Sequence, residues 1–284
     1  GHRHISSLRL DAGMPVWEFA VDGLRIEQRI WMEHGSNRTR VAYRRLDGEP
    51  TAAPRIRLGL LASFRDHHGV NAPGGFQLHT DAREQGLRLL LPGGRFVDIH
   101  SPRGRFSPDR TWIENFHLGL EQERGLEASD AHLRIGWVEF SLEQDGWSGV
   151  NFGLDGVSEE GFEVSLDAER QRVQSLQTSA LPGVEREDVP AWIRQLVTAA
   201  DAYLFRRQGG SGRGRASVIA GYPWFGDWGR DTMIALPGLA LATGRPQLAR
   251  EVLESFAGYV DRGMLPNVFP GSGETPEYNT GDAA

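Results

Sequence analysis

Two reactive side chains are missing from these 284 residues. There is no cysteine, which excludes disulfides, thiolate zinc sites, iron–sulfur clusters and cysteine nucleophiles, and which fits a reducing cytoplasm. There is no lysine either: all 31 basic residues are arginine, so Schiff-base chemistry and a P-loop phosphate clamp are both excluded. The glycine-rich "QGGSGRGRAS", Gln208 to Ser217, is therefore not a Walker loop, and its glycines do not match the dinucleotide fingerprint. It reads as a flexible loop, and nothing in the chain implies a cofactor. No apolar run approaches the roughly 20 residues of a bilayer span. The net charge of −7 comes with both signs dispersed along the chain, leaving no basic stripe to track phosphates. Neither a membrane nor a nucleic acid is an expected partner; a small or neutral ligand fits better.

What is present suffices for one large core or two modest ones, with 39% hydrophobic residues. From Val16 the pattern alternates. "VWEFAVDGLRIEQRI" places Trp17, Phe19 and Val21 on one face, turns at Asp22-Gly23, and continues through Leu24, Ile26 and Ile30. A two-residue Asp-Gly turn pairs Val21 with Leu24 and Phe19 with Ile26, so both apolar sets meet on one sheet face. "RIRLGLLASF", "LRIGWVEFSL" and "FEVSLDA" repeat the period of two and read as further strands. Short strands punctuated by Gly, Pro and Asp over most of residues 5 to 180 predict an antiparallel β-sandwich.

The texture changes near Val184. "EDVPAWIRQLVTAADAYLFRR" sets Trp192, Leu196, Ala199 and Tyr203 at helical spacing, with Ile193, Val197, Ala200 and Leu204 beside them, predicting a helix from about Pro190. A second apolar segment runs from Asp231 to Thr243-Gly244, with a bend expected at Pro237-Gly238. A third helix opens at Pro246, carries Leu248, Val252, Phe256 and Tyr259 on one face, and is stopped by Gly263 and Pro266. The expected organisation is multidomain: a β domain over residues 1–183 and a helical region over 184–284.

The long loops hold the unusual residues, above all "GYPWFGDWGRDTMIALPG", Gly221 to Gly238. A neutral polyhydroxylated ligand such as a sugar offers C–H faces to aromatic rings and hydroxyl pairs to planar carboxylates and guanidiniums. Trp224, Trp228, Arg230 and Asp231 supply those groups, and Gly226 and Gly229 permit sharp turns beside them. The same residues admit a plainer reading, with the tryptophans in the core, Asp231-Thr232 capping a helix, and Arg230 paired with Asp227 or Asp231. A helix N-terminus and an adjacent arginine favour a charged carboxylate, so Asp231 suits gripping hydroxyls better than donating a proton. His67-His68 has no third metal ligand at a useful spacing and reads as a packing or interdomain pair. Glu121, Glu123 and Arg124 read as a solvated or interdomain charge cluster.

"AGYPWFGDWGRDTMIALPGL", followed by "ATGR", "GMLPNVFP" and "YNTGDA", resembles the amylo-α-1,6-glucosidase part of glycogen debranching enzymes of the bacterial and archaeal type. "LASFRDHH" and "ENFHLGLEQERGLE" resemble the β-rich N-terminal domain attached to it. The resemblance implies an (α/α) toroid of six helical hairpins behind the β-sandwich, of which this chain is expected to carry the first helices as a truncated piece. It also implies hydrolysis of the α-1,6-linked glucose stub at a branch of glycogen, limit dextrin or related α-glucan oligosaccharides. By that similarity Trp228, Arg230 and Asp231 line the subsite for the terminal glucose, and Asn279 and Asp282 enter from the next long loop. The acid and base carboxylates are expected beyond Ala284. Two other functions fit the residues: a carbohydrate-binding module without turnover, or another toroidal α-glucosidase of glucoamylase-like or trehalase-like type.

Overall fold

In the computed structural model the described residues are 2–48, 54–66, 69–142, 146–207, 215–221, 225–268 and 276–278. The chain divides into two compact units, Gly1–Arg170 and Gln171–Ala284. In chain order the strands of the first are β1 (Ile5–Asp11), β2 (Met14–Val21), β3 (Leu24–Met32), β4 (Arg38–Asp47), β5 (Arg55–Ala62), β6 (His79–Arg83), β7 (Gly86–Leu90), β8 (Phe96–His100) and β9 (Arg105–His117). A short helix α1 (Gly119–Glu123), β10 (Ser129–Ser141) and β11 (Ser148–Leu154) complete the set, and α2 (Phe162–Ala180) carries the chain across the division.

The strands form an eight-stranded sheet of order β1-β2-β3-β4-β11-β8-β7-β6 and a three-stranded sheet of order β5-β10-β9. Ile26, Tyr43, Ile99 and Val150 of the larger sheet meet Leu60, Leu133, Val138 and Phe140 of the smaller in one core. The expected antiparallel sandwich is what the first unit adopts. The Asp22-Gly23 hairpin pairs Phe19 with Ile26 and Val21 with Leu24, in the register the turn chemistry predicts. Both turn residues take a left-handed φ, 48° and 79°, which is what a two-residue hairpin with a primed turn needs. "LRIGWVEFSL" lies in β10 except for its last residue, Leu142, while the strand drawn from "RIRLGLLASF" ends at Ala62, short of the exposed Phe64.

"FEVSLDA" is not a strand. Phe162 to Ala168 form the opening turns of α2, and burial at Phe162, Ser165, Leu166, Val173 and Ala180 follows a helical spacing while Val164 is exposed. Seven alternating residues imitate a strand, but the Glu-, Gln-, Arg- and Ala-rich run behind them favours a helix. The start of α2 covers the outer face of the large sheet, where Met14, Trp31 and Ala42 pack on Phe162 and Leu166. The Trp31 indole N–H donates to Ser165 Oγ at 3.0 Å. On the same sheet an ion network is also buried: Glu27 accepts from Arg29 Nε at 2.6 Å, and Arg29 also pairs with Asp11.

The second unit contains α3 (Ala191–Ala202), a two-stranded sheet of β12 (Leu204–Arg207) and β13 (Arg215–Val218), α4 (Gly229–Leu236) and α5 (Pro246–Ala257). The helix expected near Pro190 is α3. Its Val197 is buried, whereas Trp192 and Leu196 are exposed and Leu204 has passed into β12. The glycine-rich stretch connects a hairpin: residues 208–214 lie outside the described residues, but Ala216 and Ser217 stand buried in β13. At Pro237 the chain widens into a π-turn ending at Leu241, with Ala242 N–H donating to Pro237 O at 2.9 Å. Helix α5 buries Ala249, Val252 and Phe256 and closes at Gly258, before Gly263. The "ATGR" segment proves structural. Thr243 Oγ1 donates to Leu239 O, Gly244 at φ 72° passes Ser179 O with no room for a Cβ, and Arg245 joins Arg172 on Asp201.

Candidate functional site

The segment that precedes α4 is pinned at four points. Phe225 N–H donates to Gly221 O at 2.9 Å and Ala220 N–H to Gly226 O at 2.8 Å, while residues 222–224, including Trp224, lie outside the described residues. Next, Asp227 is buried and accepts from Ser217 Oγ of β13 at 2.8 Å. Trp228 then runs extended beside Val268, and Gly229 N–H donates to Asn267 O at 2.8 Å. Val268 pairs on its far side with Glu277, so the later long loop joins the same small ladder up to Tyr278, whose hydroxyl donates to Tyr259 O at 2.6 Å. Asn279 and Asp282 lie outside the described residues.

Neither Gly226 nor Gly229 takes a left-handed φ, so neither uses the backbone freedom that is glycine's own. Gly229 is the buried first residue of the helix, and the space around Gly226 is open. The Phe225 and Trp228 rings meet edge to face, 5.9 Å between centroids, leaving Trp228 half-buried in an arrangement aromatic pairs prefer.

Helix α4 begins with Trp228 at its cap and no side-chain capping bond, which puts Asp231 inside the first turn instead of at the cap. There it faces the positive end of the helix dipole. Asp231, Ile234, Ala235 and Leu239 recur at intervals of three and four residues, and this face forms one wall of a cavity of about 360 Å³. Tyr203, Val218, Ile219 and Ala220 form the other wall. A half-buried carboxylate thus enters a largely apolar cavity, and among the described lining residues Tyr203 is the other side chain that can hydrogen-bond. Arg230, about 100° further round the helix, is exposed, and neither it nor Trp228 is among the cavity's walls. Thr232, on the buried side, and Asn267 carry buried Oγ1 and Oδ1 atoms without a hydrogen-bond partner among the described residues.

The structure therefore gathers Trp228, Arg230 and Asp231 within one turn but turns them in different directions. Sequence reasoning missed the Ser217–Asp227 contact. Asp227 was visible in the motif, yet its partner sits ten residues upstream in a stretch whose glycines disguise a strand. Among the described residues no group of three or more His, Cys, Asp or Glu could hold a metal ion, and His67 and His68 lie outside them. No helix among these residues is long and apolar enough to cross a membrane.

Residues 1–148 match the family described as the N-terminal part of glycogen debranching enzyme, and residues 198–284 match the family described as amylo-α-1,6-glucosidase. The glycogen debranching enzyme of Saccharomyces cerevisiae is 40% identical over 73 residues, which cover 24% of this chain and 5% of the yeast protein. A crystal structure of a bacterial glucoamylase complexed with acarbose is similar over 89% of this chain and 40% of its own, at 11% identity and a TM-score of 0.39. The chain thus spans a small part of the yeast protein and under half of the glucoamylase. Because the first family match alone takes in 148 of the 284 residues, this chain belongs to the glycogen debranching enzyme family, a family of glycoside hydrolases.

Proposed function

We propose that the polypeptide carrying these residues hydrolyses α-1,6-glucosidic branch points in glycogen, limit dextrin or related α-glucan oligosaccharides, in the cytoplasm. The observation that carries this reading is Asp231, set in the first turn of α4 and facing a cavity of about 360 Å³ with apolar walls. Such a wall accepts the C–H face of a glucose ring while the carboxylate takes a hydroxyl pair. Asp231 grips the terminal glucose from the cavity wall, and Trp228 and Arg230, which stand outside that wall, complete the subsite with Asn279 and Asp282 from the following loop within a six-hairpin toroid. The bond is broken by two other carboxylates, roughly 6.5–9.5 Å apart with a water between them, giving inversion. Family membership supports the α-glucan substrate, and the match of residues 198–284 to the glucosidase part supports the bond type. Division of the chain into a sandwich domain over 1–183 and a catalytic region over 184–284 belongs to the same proposal.

One observation favours a second reading, saccharide binding without turnover. Among the described residues Asp231 is the single carboxylate that lines the cavity, and glycoside hydrolysis takes two. The test is glucose release from phosphorylase-limit dextrin, compared with release from linear maltooligosaccharides. Preferential release from limit dextrin is the expected result. Binding of both without release would support the second reading, and preferential release from linear chains would assign a glucoamylase-like activity.

A further inference from the structure

The first unit holds a cavity of about 320 Å³ lined by Thr80, Pro108, Asp109, Arg110 and Ile135. It opens where the small sheet breaks its regular pairing. The register of β10 shifts between Arg134 and Gly136 against both neighbours: toward β5 Ile135 is the extra residue, whereas toward β9 Ile135 stands opposite two residues, Asp109 and Arg110, and the extra residue is in β9. Gly136 faces Pro108, and a Cβ there would stand 2.9 Å from Ser107 O, so only glycine allows the close approach of the two strands. Pro108 has no N–H to give to the ladder. Bulges of this kind re-aim side chains and often sit beside binding sites.

The polar groups of the cavity are held in place. Asp109 accepts from Thr111 Oγ1 at 2.7 Å, Arg134 Nε at 2.5 Å and the Trp137 indole N–H at 3.2 Å. The Arg110 backbone N–H adds a fourth bond, so an arriving hydroxyl shares the carboxylate's roughly four acceptor positions with these donors. The Trp137 ring lies against the guanidiniums of Arg57 and Arg134, 4.4 and 4.5 Å from its centroid. Arg110 donates from one terminal nitrogen to Leu78 O at 2.9 Å, which fixes its head, and its remaining N–H groups have no partner among the described residues. The hydrogen bonds from Thr111 and Arg134 hold the Asp109 carboxyl down at about 2, so the site carries a carboxylate and a guanidinium together at any physiological pH. A phosphate would meet the carboxylate and an amine would meet the guanidinium. A neutral vicinal diol satisfies both, and Pro108 and Ile135 offer apolar surface to the carbons between.

We propose that this cavity is a saccharide site of the β-sandwich, taking a glucose unit of an α-glucan through a hydroxyl pair bridged by Asp109 and Arg110. The saccharide class follows from the cavity itself; its identity as an α-glucan rests on the reading of function above.

The probe is maltoheptaose at millimolar concentration, and the readout is the Trp137 indole N–H resonance in nitrogen-labelled protein, identified by its loss in Trp137→Phe. Because that proton is donated to Asp109, a hydroxyl arriving at the carboxylate should move the resonance in a saturable way. Arg110→Ala, at an exposed position, should weaken this titration at least about tenfold with an unchanged melting temperature, and Asp231→Ala should leave it intact. A Trp137 resonance that stays fixed, or a titration indifferent to Arg110→Ala, would overturn the proposal. Limit-dextrin hydrolysis with a fixed Trp137 resonance sinks this site alone; a saturable shift without hydrolysis sinks the hydrolase reading alone.

Discussion

Asp227 is a residue whose role only the fold reveals. It is buried at the head of the segment that carries Trp228, Arg230 and Asp231, and Ser217 of β13 supplies a hydroxyl to its carboxylate. Removing that hydroxyl leaves a buried acceptor short of one partner, at a cost of about 1–3 kcal/mol. Ser217→Ala should therefore lower the unfolding free energy of the second unit by that amount in urea titrations, and should broaden the near-ultraviolet signal of the Phe225–Trp228 pair. Arg29 makes a similar case in the sandwich. It is buried between Glu27 and Asp11, and taking away one member of a buried ion network costs about 3–5 kcal/mol because the partner's charge is stranded. Chemical denaturation of Arg29→Ala should show a loss of that size. Asp231 and its neighbours were legible in the sequence as a dense polar and aromatic motif. The buried polar contacts were not, because composition does not say which carboxylate meets which hydroxyl.

Among the elements, the hairpin of β2 and β3 was legible down to its register, since a two-residue Asp-Gly turn leaves one pairing open to the strands it joins. The ends of α5 were nearly so, with Pro246 in the first turn. Helix α2 was not legible, because Phe162, Val164 and Leu166 satisfy a strand pattern, while only Phe162 and Leu166 share a helix face over so short a window. The structure separates them by burial: Leu166 is 2% exposed and Val164 57%. Leu166→Ala should cost about 2–5 kcal/mol of stability and Val164→Ala less than about 0.5 kcal/mol, as read from denaturation midpoints. A strand would place both side chains on one face and penalise both. The β12–β13 hairpin was missed for the opposite reason, its strands being only four residues each beside a glycine-rich connection.

On the scale of the molecule, the sandwich concentrates carboxylates whose pKa values lie below their ordinary range. For Asp11 and Glu27 burial pushes upward, but hydrogen bonds and charge from Arg29, joined by Arg170 and Arg44 respectively, outweigh it. Burial is likewise outweighed at Asp130 by the backbone N–H groups of Asn71 and Ala131. Asp155 is lowered by its bonds to Arg95, and Asp109 stands at about 2. A carboxylate with a folded-state value below its unfolded one adds stability that is fully present above the unfolded value and is lost as pH falls toward the folded one. The denaturation midpoint of the sandwich should therefore hold steady above about pH 5 and fall steeply between about pH 4 and pH 2.

The central claim is that the segment entering α4 grips the terminal glucose of an α-1,6 branch, and the most direct test is kcat/KM for glucose release from limit dextrin before and after Asp231→Asn. Loss of a charged hydrogen-bond acceptor to substrate should lower it by about 10- to 100-fold, with the melting temperature unmoved. An unchanged kcat/KM in a folded Asp231→Asn enzyme would contradict the account.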